Sequence, residues 1–226
     1  MKITLLLLLL TLGACSAPPP EQADSVPAGF IKRTVAFKTR PGALSPQGRL
    51  TLFVPQRYDT LLTWVDQADT PMGDKLKYRF TNTGGCLLQE SGFKRQGRYC
   101  QDTLDQLTVE VRASNRAEQT LAAVEREIRH RQEAERAAGI AATVWKSKKL
   151  AVIHGRTFSV VESFGGSTLV PTPYEQLTAV TIVAGQRQNW EVALHFECKQ
   201  PDCRKFAEQA YTTLQSVVLD TGTALR

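Results

Sequence analysis

His195-Phe196-Glu197, followed by Pro201-Asp202-Cys203, places an imidazole, a carboxylate and the thiols of Cys198 and Cys203 within a short stretch of chain. Zinc-assisted deamination uses such groups: a glutamate beside a metal-bound water, with two thiolates from a C-x-x-C turn completing the ligand set. Here the cysteines are not spaced C-x-x-C and the two halves nearly run together, so the spacing does not support that chemistry. A structural zinc held by His195, Cys198 and Cys203 would need a fourth ligand, and no obvious candidate stands nearby. Serine chemistry lacks a G-x-S-x-G elbow, and Gly165-Gly166-Ser167 reads as a hairpin loop. Of the other histidines, His130 lies in a charged helical stretch and His154 ends a strand beside Gly155; neither has an H-E-x-x-H partner. His195 sits between Leu194 and Phe196 and therefore faces away from the apolar side of its strand. The reading is a chain with no catalytic residues, no metal and no cofactor. A hydrolase is the alternative, and it would need a pocket with convergent titratable groups.

The remaining chemistry is that of sulfur. Met1 to Ala14 carries Lys2, an apolar run from Ile3 to Leu12, and then two small residues. That pattern marks an export signal, too short for a membrane span. Leu12-Gly13-Ala14-Cys15 resembles the bacterial lipobox, which implies an acylated Cys15 after cleavage of residues 1–14. An ordinary signal cut near Ala14 or Ala17 is the alternative, leaving a soluble periplasmic protein. Acyl chains at about 0.8 kcal/mol per buried methylene would hold the protein on a membrane. Pro18, Pro19 and Pro20 then extend the chain away from it, within a tether spanning 15–28. Ser16 stands where lipoproteins retained in the inner membrane usually carry aspartate, so the resemblance implies the outer membrane, periplasmic face. Four cysteines are left in an oxidising compartment, which suggests two disulfides among Cys86, Cys100, Cys198 and Cys203. Three connectivities are open; the nearest-neighbour one joins Cys86 to Cys100 and Cys198 to Cys203.

About 200 residues remain for one core, read here as a single domain over 29–220 with a tail at 221–226. A net charge of +6 is too small to argue for nucleic acid, and none is expected as a partner. Alternation predicts strands at 30–39, 48–54, 75–81 and 107–113. Asn115-x-x-Glu118 reads as a capping box that starts a long helix to about Ala138, with Ala117, Leu121, Val124 and Ile128 as its apolar stripe. Its charged residues, Arg131, Glu125 and Glu127 among them, read as a solvated face. Strands at 143–146, 150–154, 156–163, 177–184 and 190–198 follow, then a last helix after Pro201 whose stripe is Phe206, Ala210, Leu214 and Val217. The fold class is α+β: a mostly antiparallel sheet with a long central helix and a C-terminal helix packed on it.

Arg156-Thr157-Phe158, Ala179 to Gly185 and Trp190 to Phe196, after a strand and a crossing helix, resemble the PsbP-like fold. An extrinsic photosystem subunit and the Ran-binding protein Mog share that fold, and the resemblance implies an α/β/α sandwich from Leu107 onward. Some immunity lipoproteins that neutralise toxins delivered by type VI secretion resemble the same arrangement. The expectation is a membrane-anchored protein that binds another periplasmic or membrane protein, such as a secreted toxin; an envelope-assembly or wall-contacting factor is the alternative. Candidate contact residues are Trp145, Lys146, Lys148 and Lys149, cationic heads beside an aromatic, and Pro171 and Tyr174 in an apolar-bearing loop. Replacing Cys15 with serine is expected to move the protein from the membrane to the soluble envelope fraction, read by fractionation and mass spectrometry of the mature N-terminus.

Overall fold

The computed structural model describes residues 25–37, 48–66, 75–81, 105–166, 173–185, 189–199 and 205–220. Cys15, Cys86, Cys100, Cys203 and Pro171 lie outside them, as do residues 15–24 of the tether and both ends of the chain.

Alternation decides the sheet faces. In β5 (Asp105–Ser114), Leu107, Val109 and Val111 are buried on one side while Thr108, Glu110 and Arg112 take the other. Its partner β9 (Asn189–Cys198) does the same, with Val192, Leu194 and Phe196 opposite those three residues. Adding β3 (Thr60–Asp66), β4 (Lys75–Thr81), β6 (Val144–Ile153), β7 (Arg156–Gly165) and β8 (Tyr174–Val183) gives a seven-stranded sheet. Its order is β3-β4-β5-β9-β8-β7-β6, and every pairing is antiparallel. A second, three-stranded sheet joins β1 (Phe30–Phe37), β2 (Gly48–Pro55) and the short C-terminal β10 (Val218–Asp220) in the order β1-β2-β10.

The core lies between the two sheets. Leu50, Leu52 and Val54 of β2 and Ala210 and Leu214 of α2 (Phe206–Gln215) belong to one apolar cluster with Phe158, Leu177, Leu194 and Phe196 of the large sheet. A polar staple closes one end of this layer. Arg57 grips Asp105 through two bonds, Nε–Oδ2 at 2.5 Å and Nη2–Oδ1 at 3.0 Å, and reaches Gln209 of α2 at 2.7 Å. The buried Tyr58 hydroxyl donates to the same carboxylate at 2.5 Å. Burial, and then the Asp105 charge, push that phenol well above its usual range.

The opposite face of the large sheet is polar, and α1 (Leu121–Ala138) lies on it. The chain leaves mid-sheet β5 and returns at the far edge, so α1 must cross. Its polar ties run to three neighbouring strands: Gln119 to Ser159 of β7 at 2.9 Å, Glu125 to Lys148 of β6 at 2.6 Å, and Arg131 to Gln176 of β8 at 3.2 Å. The helix starts later than Asn115-x-x-Glu118 suggests. Thr120 is the cap, its hydroxyl accepting from Ala123 N–H at 3.2 Å, and Ala117 precedes the helix. It ends where expected: Gly139 is left-handed (φ 66°), which lets Ile140 N–H return to the Glu135 carbonyl at 3.0 Å.

Several expectations need correction. The described strands form two sheets rather than one, and β3 and β10 escape the alternation reading. The long helix sits toward the β6–β8 side, so it is central only in chain order. Residues 143–146 and 150–154 are not two strands with a turn between, because β6 runs unbroken from Val144 to Ile153 with a bulge between Trp145 and Ser147. Tyr174 belongs to β8 and not to the preceding loop. The β6–β7 hairpin closes on His154 and Gly155, both at positive φ (47° and 74°), the geometry of a two-residue primed turn. The His154 Nε2 then meets the Gln215 carbonyl at 2.8 Å, tying the hairpin to the end of α2. Phe158 is fully buried where the sheet meets this layer; Phe158→Ala is expected to cost about 3–5 kcal/mol in a urea titration.

Candidate functional site

A cleft of about 550 Å3 opens between α1 and the polar face of β6–β9. Helical periodicity forms its roof: Val124, Ile128, Arg131, Glu135 and Ala138 recur at spacings of three and four along α1 and face one way. Strand periodicity forms its floor. Ser163, Gln176, Thr178, His195 and Glu197 are alternate residues of three adjacent strands, brought side by side by the pairings Gln176–Glu197 and Thr178–His195.

One end of the cleft is locked by a buried carboxylate. Glu135 is 6% exposed. It accepts from Thr143 twice, from the backbone N–H at 3.0 Å and from the hydroxyl, and from Arg131 Nε at 3.0 Å. Burial alone would push its carboxyl up. The Thr143 bonds and the Arg131 charge outweigh that and hold it below the ordinary carboxylate value. Arg131, so fixed, lies 5.5 Å above the Trp145 ring and donates to Gln176 Oε1. The bulge that follows Trp145 is what puts both Trp145 and Lys148 on the α1 side. Gly165 completes the lock by its lack of a side chain: a Cβ there would lie 2.5 Å from the Thr143 hydroxyl oxygen and 3.0 Å from its Cα.

The floor is part of a polar lattice across the sheet. Glu197 accepts from Gln106 Nε2 at 2.5 Å and from the Tyr174 hydroxyl at 3.4 Å, and Thr178 Oγ1 lies 3.3 Å from His195 Nδ1. Beyond His195 a chain of alternating charges continues. Asp66 meets Lys77 at 2.7 Å, Lys75 meets Glu110 at 3.2 Å, and Arg112 meets Glu191 at 2.7 Å. Arg116 then lies 3.7 Å from Glu191 and bonds Glu127 at the cleft. Partial burial alone would raise the Glu110 carboxyl, but His195, Lys75 and Lys77 hold it below its usual value. Arg79, fully buried, donates to Thr108 at 3.1 Å and stacks 4.9 Å from the Trp64 ring.

Among the described residues two buried groups in this region carry no partner: the Trp145 indole N–H has no acceptor and the Gln106 Oε1 has no donor. His195 makes its ring contact through Nδ1 alone among the described residues.

Of the residues picked from sequence, Trp145 and Tyr174 both line the cleft. The three lysines do not join them as one cationic patch. Lys148 takes the α1 face and pairs with Glu125 at 2.6 Å, while Lys146 takes the other face and pairs with Glu175 at 2.6 and 2.7 Å. Lys149 lies on that second face too, 4.6 Å over Tyr211 of α2. His195 and Cys198 project from opposite sides of β9, and Cys198 is disulfide-bonded, so the two do not converge on a zinc ion. Among the described residues no group of histidine, cysteine and carboxylate side chains could hold a metal. Arg131, Glu127 and Glu135 escape a sequence reading because an i,i+4 pair on a charged helix looks the same whether it faces water or a cleft.

No family model matches the chain, and no curated protein sequence does. Among solved structures it is similar to cyanobacterial PsbP (CyanoP) from Synechocystis sp. PCC 6803, at 13% identity and a TM-score of 0.48, over 89% of this chain and 99% of that one. It is also similar to a protein of unknown function from Pseudomonas aeruginosa, at 9% identity and a TM-score of 0.34, over 74% of this chain and 90% of that one. Likenesses of this degree carry no statement about what the chain binds.

The lock generates a pH prediction. A carboxylate held below its unfolded pKa, about 4.3 for glutamate, stabilises the fold above that value and loses the contribution as pH falls through the lower folded one. The stability gap between wild type and Glu135→Gln, measured by urea melts from pH 7 to pH 3, is therefore expected to shrink with acid. Gly165→Ala, which overpacks against Thr143, is expected to cost about 1–3 kcal/mol at every pH.

Proposed function

We propose that this chain is a lipid-anchored protein of the outer membrane, facing the periplasm, that works by binding another protein. In its sharpest form the partner is a delivered toxin that this chain neutralises. The lipobox-like Leu12-Gly13-Ala14-Cys15 supports the anchor, and the pairing of Cys198 with Cys203 and of Cys86 with Cys100 is part of the same envelope reading. No helix among the described residues is long and apolar enough to cross a membrane, which leaves the acyl group as the proposed attachment.

The observation that carries the reading is an edge of the large sheet on which no other described strand pairs. β6 is an outermost strand of ten residues. It exposes apolar side chains where such edges are usually guarded: Val152 is 73% exposed and Leu150 41%, both on the α1 side, with Leu121 exposed at the start of α1. An edge of this kind accepts a strand from a partner through main-chain bonds, with flanking side chains giving selectivity. Lys146 and Lys148, paired within the fold, remain beside it as a charged border that disfavours indiscriminate pairing.

Binding also fits the state of the cleft. Its carboxylates are committed to internal partners, Glu135 to Thr143 and Arg131, Glu197 to Gln106, and Glu127 to Arg116. One observation favours a hydrolase as the second reading: His195 and Glu197 converge on a single cleft, the arrangement acid–base work requires.

Co-expression with the product of the neighbouring gene separates these readings. Wild type is expected to protect cells from that product, and the double variant Leu150→Lys, Val152→Lys to lose protection while its melting midpoint stays within a few degrees. His195→Ala is expected to protect as well as wild type. A harmless neighbour, or protection lost only with His195→Ala, would count against the proposal.

A further inference from the structure

We infer that the α1 cleft is a binding site for an uncharged amphiphile with one long apolar chain and an ester or amide carbonyl at its polar end. Shape, charge and one open donor lead to that chemistry. Beside Arg131 and Glu135, which are turned to each other and to Thr143, the roof carries the apolar residues Val124, Ile128, Ala134 and Ala138 along α1, with Val161 of β7 on the floor. At 1.5 Å per residue the strip from Val124 to Ala138 runs about 20 Å. An extended chain advances roughly 1.2 Å per bond, so a chain of about sixteen bonds would lie along it.

Charge selects the head group. Glu127, Glu135 and Glu197 line the cleft against the single guanidinium of Arg131, and Arg131 is already held by Glu135 and Gln176. Among the described residues an anionic head would meet an excess of carboxylates and no uncommitted arginine or lysine. The hydrogen-bonding capacity that remains is that of a donor awaiting an oxygen. The Trp145 Nε1–H is buried without an acceptor among the described residues, and buried donors are nearly always satisfied. Its ring is held under Arg131, so the N–H direction is set before any ligand arrives. A carbonyl oxygen at this point, with its chain running back along α1 toward Val124, would use both features at once.

The site shares β6 with the edge through which a partner protein is proposed to bind, but its lining takes Trp145 and neither Leu150 nor Val152, so either proposal can fail without the other. The test is titration of the purified chain with monolauroylglycerol below its aggregation threshold, followed by calorimetry. One-to-one saturable binding is expected, weakening about fifteenfold when the acyl chain loses two methylenes. Trp145→Phe keeps an aromatic ring at the position and removes the donor; it is expected to weaken binding about threefold to tenfold. Ala134→Phe fills the strip and is expected to abolish binding; should that variant melt early, Ile128→Ser supplies the same reading from a smaller change. Laurate, with the same chain and an anionic head, is expected to bind at least tenfold more weakly. Phosphatidylcholine vesicles as a second arm show whether the chain is taken from a bilayer or only from solution. No saturation by monolauroylglycerol, equal affinity for laurate, or unchanged binding by both Trp145→Phe and the strip variant would overturn the inference. So would displacement of the amphiphile by the partner protein in a manner abolished by Leu150→Lys, Val152→Lys, since the cleft would then be an extension of the edge site.

Discussion

Leu107 opposite Phe196 and Thr108 opposite His195 are consecutive rungs of one ladder, and a slip of a single residue would exchange them. Everything on either side of the large sheet depends on that register. The rungs that include Leu107, Val109 and Val111 supply the surface on which α2 and the small sheet condense. The rungs between them carry Thr108, Glu110 and Arg112 on one strand and His195 and Glu191 on the other, the middle of the polar lattice. Water-seeking and water-avoiding groups are separated by the thickness of one strand, so the same pairing that makes the core also makes the floor of the cleft.

The roof of the cleft depends on a different device. A helix laid on a polar sheet face gains little from burial, and among α1 residues the well-buried ones are Ala123, Val124 and Glu135. Its position rests instead on directional bonds to β6, β7 and β8 and on the Glu135–Thr143 lock beside Gly165. Geometry held by hydrogen bonds is more exact than geometry held by grease, and it keeps Trp145 and Arg131 in fixed relation at the mouth of the apolar strip. The bulge after Trp145 serves the same end: without the extra residue, either Trp145 or Lys148 would turn to the α2 side.

Much of this was legible in the chain wherever a simple period held. β5, β7 and β9 follow from their alternation, the end of α1 from Gly139, and the outward turn of His195 from its flanking Leu194 and Phe196. The reading failed where the period was interrupted. Trp145-Lys146-Ser147-Lys148-Lys149 reads as a turn because the bulge breaks its alternation, although it is the middle of an edge strand. β10 is only three residues long, too short for a pattern to emerge. The Asn115-x-x-Glu118 box places the helix start too early, and the cap falls at Thr120, directly after Gln119 is tied to Ser159 of β7. The cleft itself was illegible, since Arg131 and Glu135 meet residues of β6 and β8 that no local spacing connects to them.

One consequence follows from the small sheet. β2 pairs with β1 on one side and with β10 on the other, so the first and last strands of the fold flank the same central strand. That sheet packs on the apolar face, whereas α1 and its cleft occupy the reverse. The start of β1 at Phe30 and the opening beneath α1 therefore lie on opposite sides of the large sheet.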